Sequence, residues 1–227
     1  MKRLTSMNKV GKAATGRSGA GFTLIELLAV IAIIGTIAGM LLAVGSSASN
    51  NSKKRLAEAE RDQLITFIES YNAKKGFYPP DNPTNSVNNP LFYELLGTTN
   101  AGTRFVAPNG DSLPVNALQG IFGIGGFINS FNPNAESGEQ SMQTFMKGLK
   151  DNQKMVLTSP GGQNYTLLCV PLVNPYLQPP NIPSPWNYVT GSHATNNPTT
   201  FDLWVDIKLG NKRFRISNWN KQPQALN

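Results

Sequence analysis

One cysteine and one histidine stand in 227 residues, so this chain cannot build a metal cluster of the usual His/Cys type. The lone Cys169 excludes an intramolecular disulfide, and its setting, Leu167-Leu168-Cys169-Val170, suits a small buried hydrophobe. The lone His193 sits in the polar stretch Gly191-Ser192-His193-Ala194-Thr195. Ser192 beside it makes no triad, because adjacent residues do not orient side chains for proton transfer to each other. An enzyme is therefore not expected. Proline is missing from Phe22 to Phe77, which permits one long helix there. The glycine-rich run Gly120 to Phe127 lacks the Gly-Lys-Ser/Thr ending and the preceding strand of a phosphate-binding loop, and is expected to pack as apolar backbone.

The formal charge of +7 suggests nucleic acid until it is divided along the chain. Lys2, Arg3, Lys9, Lys12 and Arg17 carry five of the cations with no acid among them. A chain starting at Phe22 keeps fifteen cationic side chains against thirteen acids, a side-chain charge of +2. The basicity is mostly a targeting feature, and no nucleic-acid partner is expected. Only if Lys208, Lys212, Arg213 and Arg215 lined one strand face would weak, salt-dependent DNA binding follow.

What is present is concentrated in Ser18 to Ile31: a basic leader breaks at Gly21-Phe22 into an apolar helix that carries one carboxylate, Glu26. A charged side chain near the head of a membrane helix costs roughly 2.5–3.5 kcal/mol, so Glu26 needs a partner. Cutting after Gly21 would create one, the Phe22 amine, four residues away in the same chain or in a neighbour packed alongside. The uncharged run Leu27–Val44 follows the proposed cut and is too long for the apolar part of a removable signal peptide, so the anchor is kept.

In order and identity, Gly21-Phe22-Thr23-Leu24-Ile25-Glu26 resembles the type IV pilin and pseudopilin family. The resemblance implies a membrane-bound prepilin peptidase that cuts between Gly21 and Phe22 and methylates the new amine, with Glu26 acting in assembly. It also implies a single-pass protein of the inner membrane, its amino terminus cytoplasmic and its carboxy-terminal domain periplasmic or extracellular. Two further stretches resemble the major pseudopilin of type II secretion: Tyr71 to Pro79 at the end of the helix, and the series Pro185-Trp186, Phe201-Asp202-Leu203-Trp204 and Ile216-Ser217-Asn218-Trp219. The lack of a disulfide points the same way. Partners implied are copies of the same chain in a helical filament, minor pseudopilins and an inner-membrane assembly platform. A type IV pilus subunit for adhesion, motility or DNA uptake is the alternative within the family. A monomeric signal-anchored binding protein is the alternative outside it.

The expected fold is α+β and pilin-like, a long hydrophobic spine helix followed by a small antiparallel sheet. The domains are a leader at 1–21, a transmembrane, filament-core and spine helix at 22–76, and a globular domain at 77–227 with a large insertion at about 81–184. From Phe22 to about Lys75 the helix would be roughly 80 Å long. Leu64, Phe67, Ile68 and Tyr71 recur on one face, with Glu60, Arg61, Asp62 and Glu69 off that stripe. Gly35, Gly39 and Gly45-Ser46-Ser47 are weak points of the helix or sites of close packing. Lys74-Lys75-Gly76 and the following prolines end it. Short helices are expected at Leu91–Leu96 and Gln140–Lys150, and strands at Tyr165–Val170, Trp186–Thr190, Phe201–Lys208 and Arg213–Ser217, the last two joined at Gly210-Asn211. Lys53-Lys54-Arg55 suits lipid headgroups, or ion pairs with Glu58 and Glu60. The family commonly binds calcium between the Asp-Leu-aromatic strand and the Asn-Trp ending. Here Ile207 to Arg215 holds four cations and no acid, so despite Asp202 and Asp206 nearby no cofactor is expected.

Overall fold

The structure, a computed structural model, describes residues 21–133, 142–177 and 181–226, with the backbone alone at 41–47. The leader cations Lys2 to Arg17 and the side chains of Leu41–Val44 and Ser46-Ser47 lie outside the described residues. The fold is α+β. Helix α1 runs Leu24–Lys75, and the chain divides into two compact units, one ending at Ser47 and the other beginning at Ala48.

In the first unit Gly35 and Gly39 lie within α1 with nothing within 4 Å of an added Cβ. In the second, α1 buries Ala57, Leu64, Ile68 and Tyr71 along one face, as their spacing dictates. Its end is fixed locally: Gly76 takes φ +85°, the left-handed region that glycine enters without strain, and its N–H donates to Asn72 O at 2.8 Å.

Against this stripe packs a sheet of four antiparallel strands: β8 (Asn187–Thr190), β9 (Phe201–Leu209), β10 (Lys212–Ser217) and β11 (Gln224–Leu226), in the order β11-β10-β9-β8. Leu203, Val205, Ile207 and Leu209 alternate along β9 into the core, as period-two patterning requires. The register Leu209↔Lys212 leaves Gly210-Asn211 as the two-residue turn. A three-stranded sheet joins the same core: β5 (Lys154–Thr158), central β6 (Asn164–Val173) and β7 (Pro183–Pro185), whose prolines suit an edge.

Residues 81–133 add helix α2 (Leu91–Leu96), helix α3 (Val115–Phe122) and a small sheet of β1 (Thr98–Asn100), β2 (Arg104–Val106), β3 (Ser112–Pro114) and β4 (Ser130–Phe131). Here β1 pairs antiparallel with β2 and parallel with β4. An aromatic cluster of Tyr93, Phe105, Phe122, Phe127 and Tyr165 welds this part to β6, with ring centroids 4.9 to 6.0 Å apart along the chain of contacts. The run Gly120 to Phe127 spans the carboxy-terminal end of α3, capped by Gly123, whereas a phosphate loop needs its glycines at a helix amino terminus.

Two expectations are corrected. Of the helix expected at Gln140–Lys150, residues 140 and 141 lie outside the described residues and 142–150 are not helical: the N–H groups of Phe145 and Met146 both donate to Leu95 O, and that of Gln143 to Asn129 Oδ1, so these donors are spent outside an i−4 ladder. Glu60 is not off the buried stripe but on it, 7% exposed, one turn before Leu64.

Candidate functional site

At its amino terminus α1 is closed by a capping box. Thr23 N–H and Thr23 Oγ1 each donate to Glu26 Oε2 at 2.8 Å, and Glu26 N–H returns to Thr23 Oγ1 at 3.3 Å. The acid that seemed to need a partner from cleavage thus has a local one, which also places its charge at the positive end of the helix dipole. All of this engages Oε2, so Oε1 takes no hydrogen bond among the described residues. Phe22 stands just outside the helix, 86% exposed, and Gly21 has nothing within 4 Å of an added Cβ.

Behind this cap the helix is apolar all round. Leu24, Ile25, Leu28, Ile31, Ile34 and Met40 are all more than half exposed and occur at spacings that cover every face. Among the described residues, no helix is long and apolar enough to cross a membrane. The uncharged run Leu27–Val44 expected as an anchor ends in four residues whose side chains are not described.

Two buried carboxylates in the second unit had not been expected from sequence. Glu94 of α2 is fully buried and receives Tyr71 Oη at 2.9 Å, Ile128 N–H at 2.8 Å and Asn129 N–H at 2.9 Å. Asn129 Nδ2 bridges Glu94 O and Gln143 O at 2.7 and 2.6 Å. One acid therefore ties the spine helix to α2, to 128–129 and to the extended 142–146 segment. Burial raises the Glu94 carboxyl despite these donors, and it raises the Tyr71 phenol as well. The signal available was an acid inside the apolar Leu-Phe-Tyr-Glu-Leu-Leu.

Glu60 faces Gln153, Cys169 and Trp186 around a cavity of about 10 Å³. Its Oε2 has no hydrogen-bond partner. Burial pushes its carboxyl up to about 7, against a Gln153 hydrogen bond and the Lys150 charge. Burial, with Glu60 adding, pushes the Cys169 thiol up to about 12. Cys169 is buried, and its Sγ lies 3.7 Å from Asn152 O, as its apolar setting suggested.

The carboxylates of β9, Asp202 and Asp206, are committed to nitrogen donors. Arg215 grips Asp206 with two bonds of 2.8 Å, and Asp202 receives the backbone and side-chain N–H groups of Asn196 and Asn197 at 2.9 to 3.1 Å. Such a set does not fit a hard cation, which needs oxygens free to turn toward it. Among the described residues, no three of His, Cys, Asp and Glu are grouped to hold a metal ion. Nor do all four cations share one strand face: Lys208, Arg213 and Arg215 lie on one side of the hairpin, where Arg215 is paired with Asp206, and Lys212 lies on the other with Phe214 and Ile216. His193 Nδ1 lies 3.0 Å from Asp81 Oδ2, which also accepts Thr190 N–H, so the polar loop is pinned just past the spine.

A family model, the prokaryotic N-terminal methylation motif, matches residues 16–42 and supports a prepilin-type protein with a type IV pilin-like amino terminus. No curated protein and no solved structure matched the chain.

Proposed function

We propose that this chain is the precursor of a pseudopilin, a structural subunit cut by prepilin peptidase between Gly21 and Phe22, methylated at Phe22, and polymerised into a short filament that drives type II protein secretion. The observation that carries this reading is the helix from Leu24 to Met40, apolar on every face and headed by Glu26 inside a methylation motif. Apolar side chains on all faces belong in lipid before assembly, or against copies of the same helix after it. The leader 1–21 is removed, 22–76 forms the anchor and then the filament core and spine, and 77–227 is the periplasmic or extracellular domain. The 81–184 segment faces neighbouring subunits or cargo.

In the precursor Glu26 serves Thr23. After the cut, the new Phe22 amine of an adjoining subunit meets the open Oε1 and fixes axial register, while the protein stays single-pass in the inner membrane with its amino terminus inside. Minor pseudopilins and the assembly platform complete the machine. Neither calcium nor nucleic acid is required, and the Arg215–Asp206 pair and the Asn196-Asn197 clamp support the first point. Purified membranes and sheared filaments from a Glu26→Ala strain test the role of Glu26. The expected result is normal membrane content with filament yield lost, and an unchanged filament yield contradicts it. Deleting the gene should strand secreted proteins in the periplasm; loss of surface filaments or motility with secretion intact would make the chain a pilus subunit instead.

A further inference from the structure

Strand β10 is laid along α1 by two contacts. Lys54 Nζ stands 3.7 Å from the Phe214 ring centroid, and Arg61 Nη1 donates to Ser217 O at 3.0 Å. Moving back along β10 toward Lys212 therefore moves toward the Ala48 end of this unit, where α1 enters it. The β9–β10 turn lies beside that end: Lys53, Lys208 and Gly210 line one groove of about 360 Å³, together with Asn174 and Asn181. Lys53, Lys208 and Lys212 are exposed. Among the described residues, none of the three is within 4 Å of a carboxylate. Both acids of this hairpin are engaged elsewhere, Asp206 by Arg215 and Asp202 by Asn196 and Asn197. Lys53 and Lys208 thus share one groove, and Lys212, on the other face of the hairpin from Lys208, stands beside the same turn, so three lysines from two distant stretches of chain mark this end of the unit with no counter-charge of their own.

We propose that this lysine edge docks the phosphates of anionic phospholipid headgroups in the membrane that holds the chain's own anchor. The inference rests on reading Leu27–Val44 as that anchor. Charge complementarity selects a phosphate, and the chain itself selects the source, because only eight residues separate Lys53 from Val44. Each lysine near an anionic bilayer strengthens attraction about fivefold, and the effect fades with salt over a Debye length of about 8 Å at physiological ionic strength. The hairpin lysines, one on each face of the turn, give the tip of the hairpin an attraction to the bilayer before the subunit is drawn into a filament.

The test is amine-acylation footprinting of the full-length chain in nanodiscs of phosphatidylcholine alone, or with one third phosphatidylglycerol. Lys53, Lys208 and Lys212 should be acylated about fivefold more slowly in the anionic discs, with Lys74, at the far end of α1, unchanged. Lys208→Gln should relieve part of the protection at Lys53. Equal labelling in both discs overturns the proposal. Equal protection by inorganic phosphate added to phosphatidylcholine discs overturns the lipid source. A chain that co-elutes with neither disc overturns the anchor reading and this inference with it.

Discussion

The two ends of α1 differ in what covers them. From Leu24 to Met40 the side chains are almost all apolar and stand exposed on every face. From Ala48 to Lys75 only a stripe is apolar, and it is closed over by strands, by α2 and by 142–149. The second region covers its own apolar surface: its largest side chains are buried, and its buried Glu94 has donors on both oxygens, although Glu60 Oε2 has none. The first caps its helix through one oxygen of its one acid and leaves its apolar side chains exposed. Apolar surface that a chain does not bury itself is a demand on its surroundings, at roughly 25 cal/mol per Å² removed from water. Folding energetics therefore belong to residues 48–226, and on the proposed reading anchoring and assembly belong to residues 22–47.

That division can be tested first where the effect should be largest. Residues 48–227 alone should melt cooperatively, and Glu94→Ala within them should destabilise by about 4 kcal/mol in urea, because Tyr71, Ile128 and Asn129 lose their shared acceptor. A noncooperative melt would mean that the second region needs the first.

Next comes Glu60, whose carboxyl rises from 4.5 to about 7 in the fold. A raised acid makes the native state hold more protons than the unfolded chain between those values. Stability should fall as pH rises from 4.5 past 7, by about 3 kcal/mol in all, and stay low above. Glu60→Gln should flatten that dependence and raise the melting temperature at pH 8; a pH profile identical to wild type would remove Glu60 from the account. A smaller effect is expected at Gly76, where φ +85° strains any side chain. Gly76→Ala should cost about 1 kcal/mol by the same melt. Smallest of all on stability is Glu26→Ala, expected to shift the melt of the globular unit by less than about 0.5 kcal/mol while abolishing filaments. A large shift would couple the two regions.

Sequence made the spine end, α2 and the β9–β10 hairpin legible because each is set by local chemistry: a glycine after two lysines, a short apolar run, a two-residue turn between β-rich segments. The segment 142–150 misled because Met142, Phe145, Met146 and Leu149 keep helical spacing, while the acceptors that claim its N–H groups, Leu95 O and Asn129 Oδ1, lie far off in sequence. Strands of three residues, such as β1 to β3, are too short to show alternation. At the amino terminus the motif is plain, but Thr23 caps only because the helix begins at Leu24, a boundary that the motif itself does not give. Glu60 reads as part of the wet face because charged Glu58, Arg61 and Asp62 surround it, and Glu94 offers only an acid in a short apolar run; the groups that close over them, Gln153 and Trp186 at Glu60 and Ile128 and Asn129 at Glu94, are distant in sequence.

The most direct measurement is the intact mass and amino-terminal sequence of the protein taken from native membranes. A chain beginning at Phe22 and carrying one added methyl is the expected result. A chain that still holds Lys2 to Gly21 in active cells would contradict the account at its centre, leaving a signal-anchored domain rather than a filament subunit.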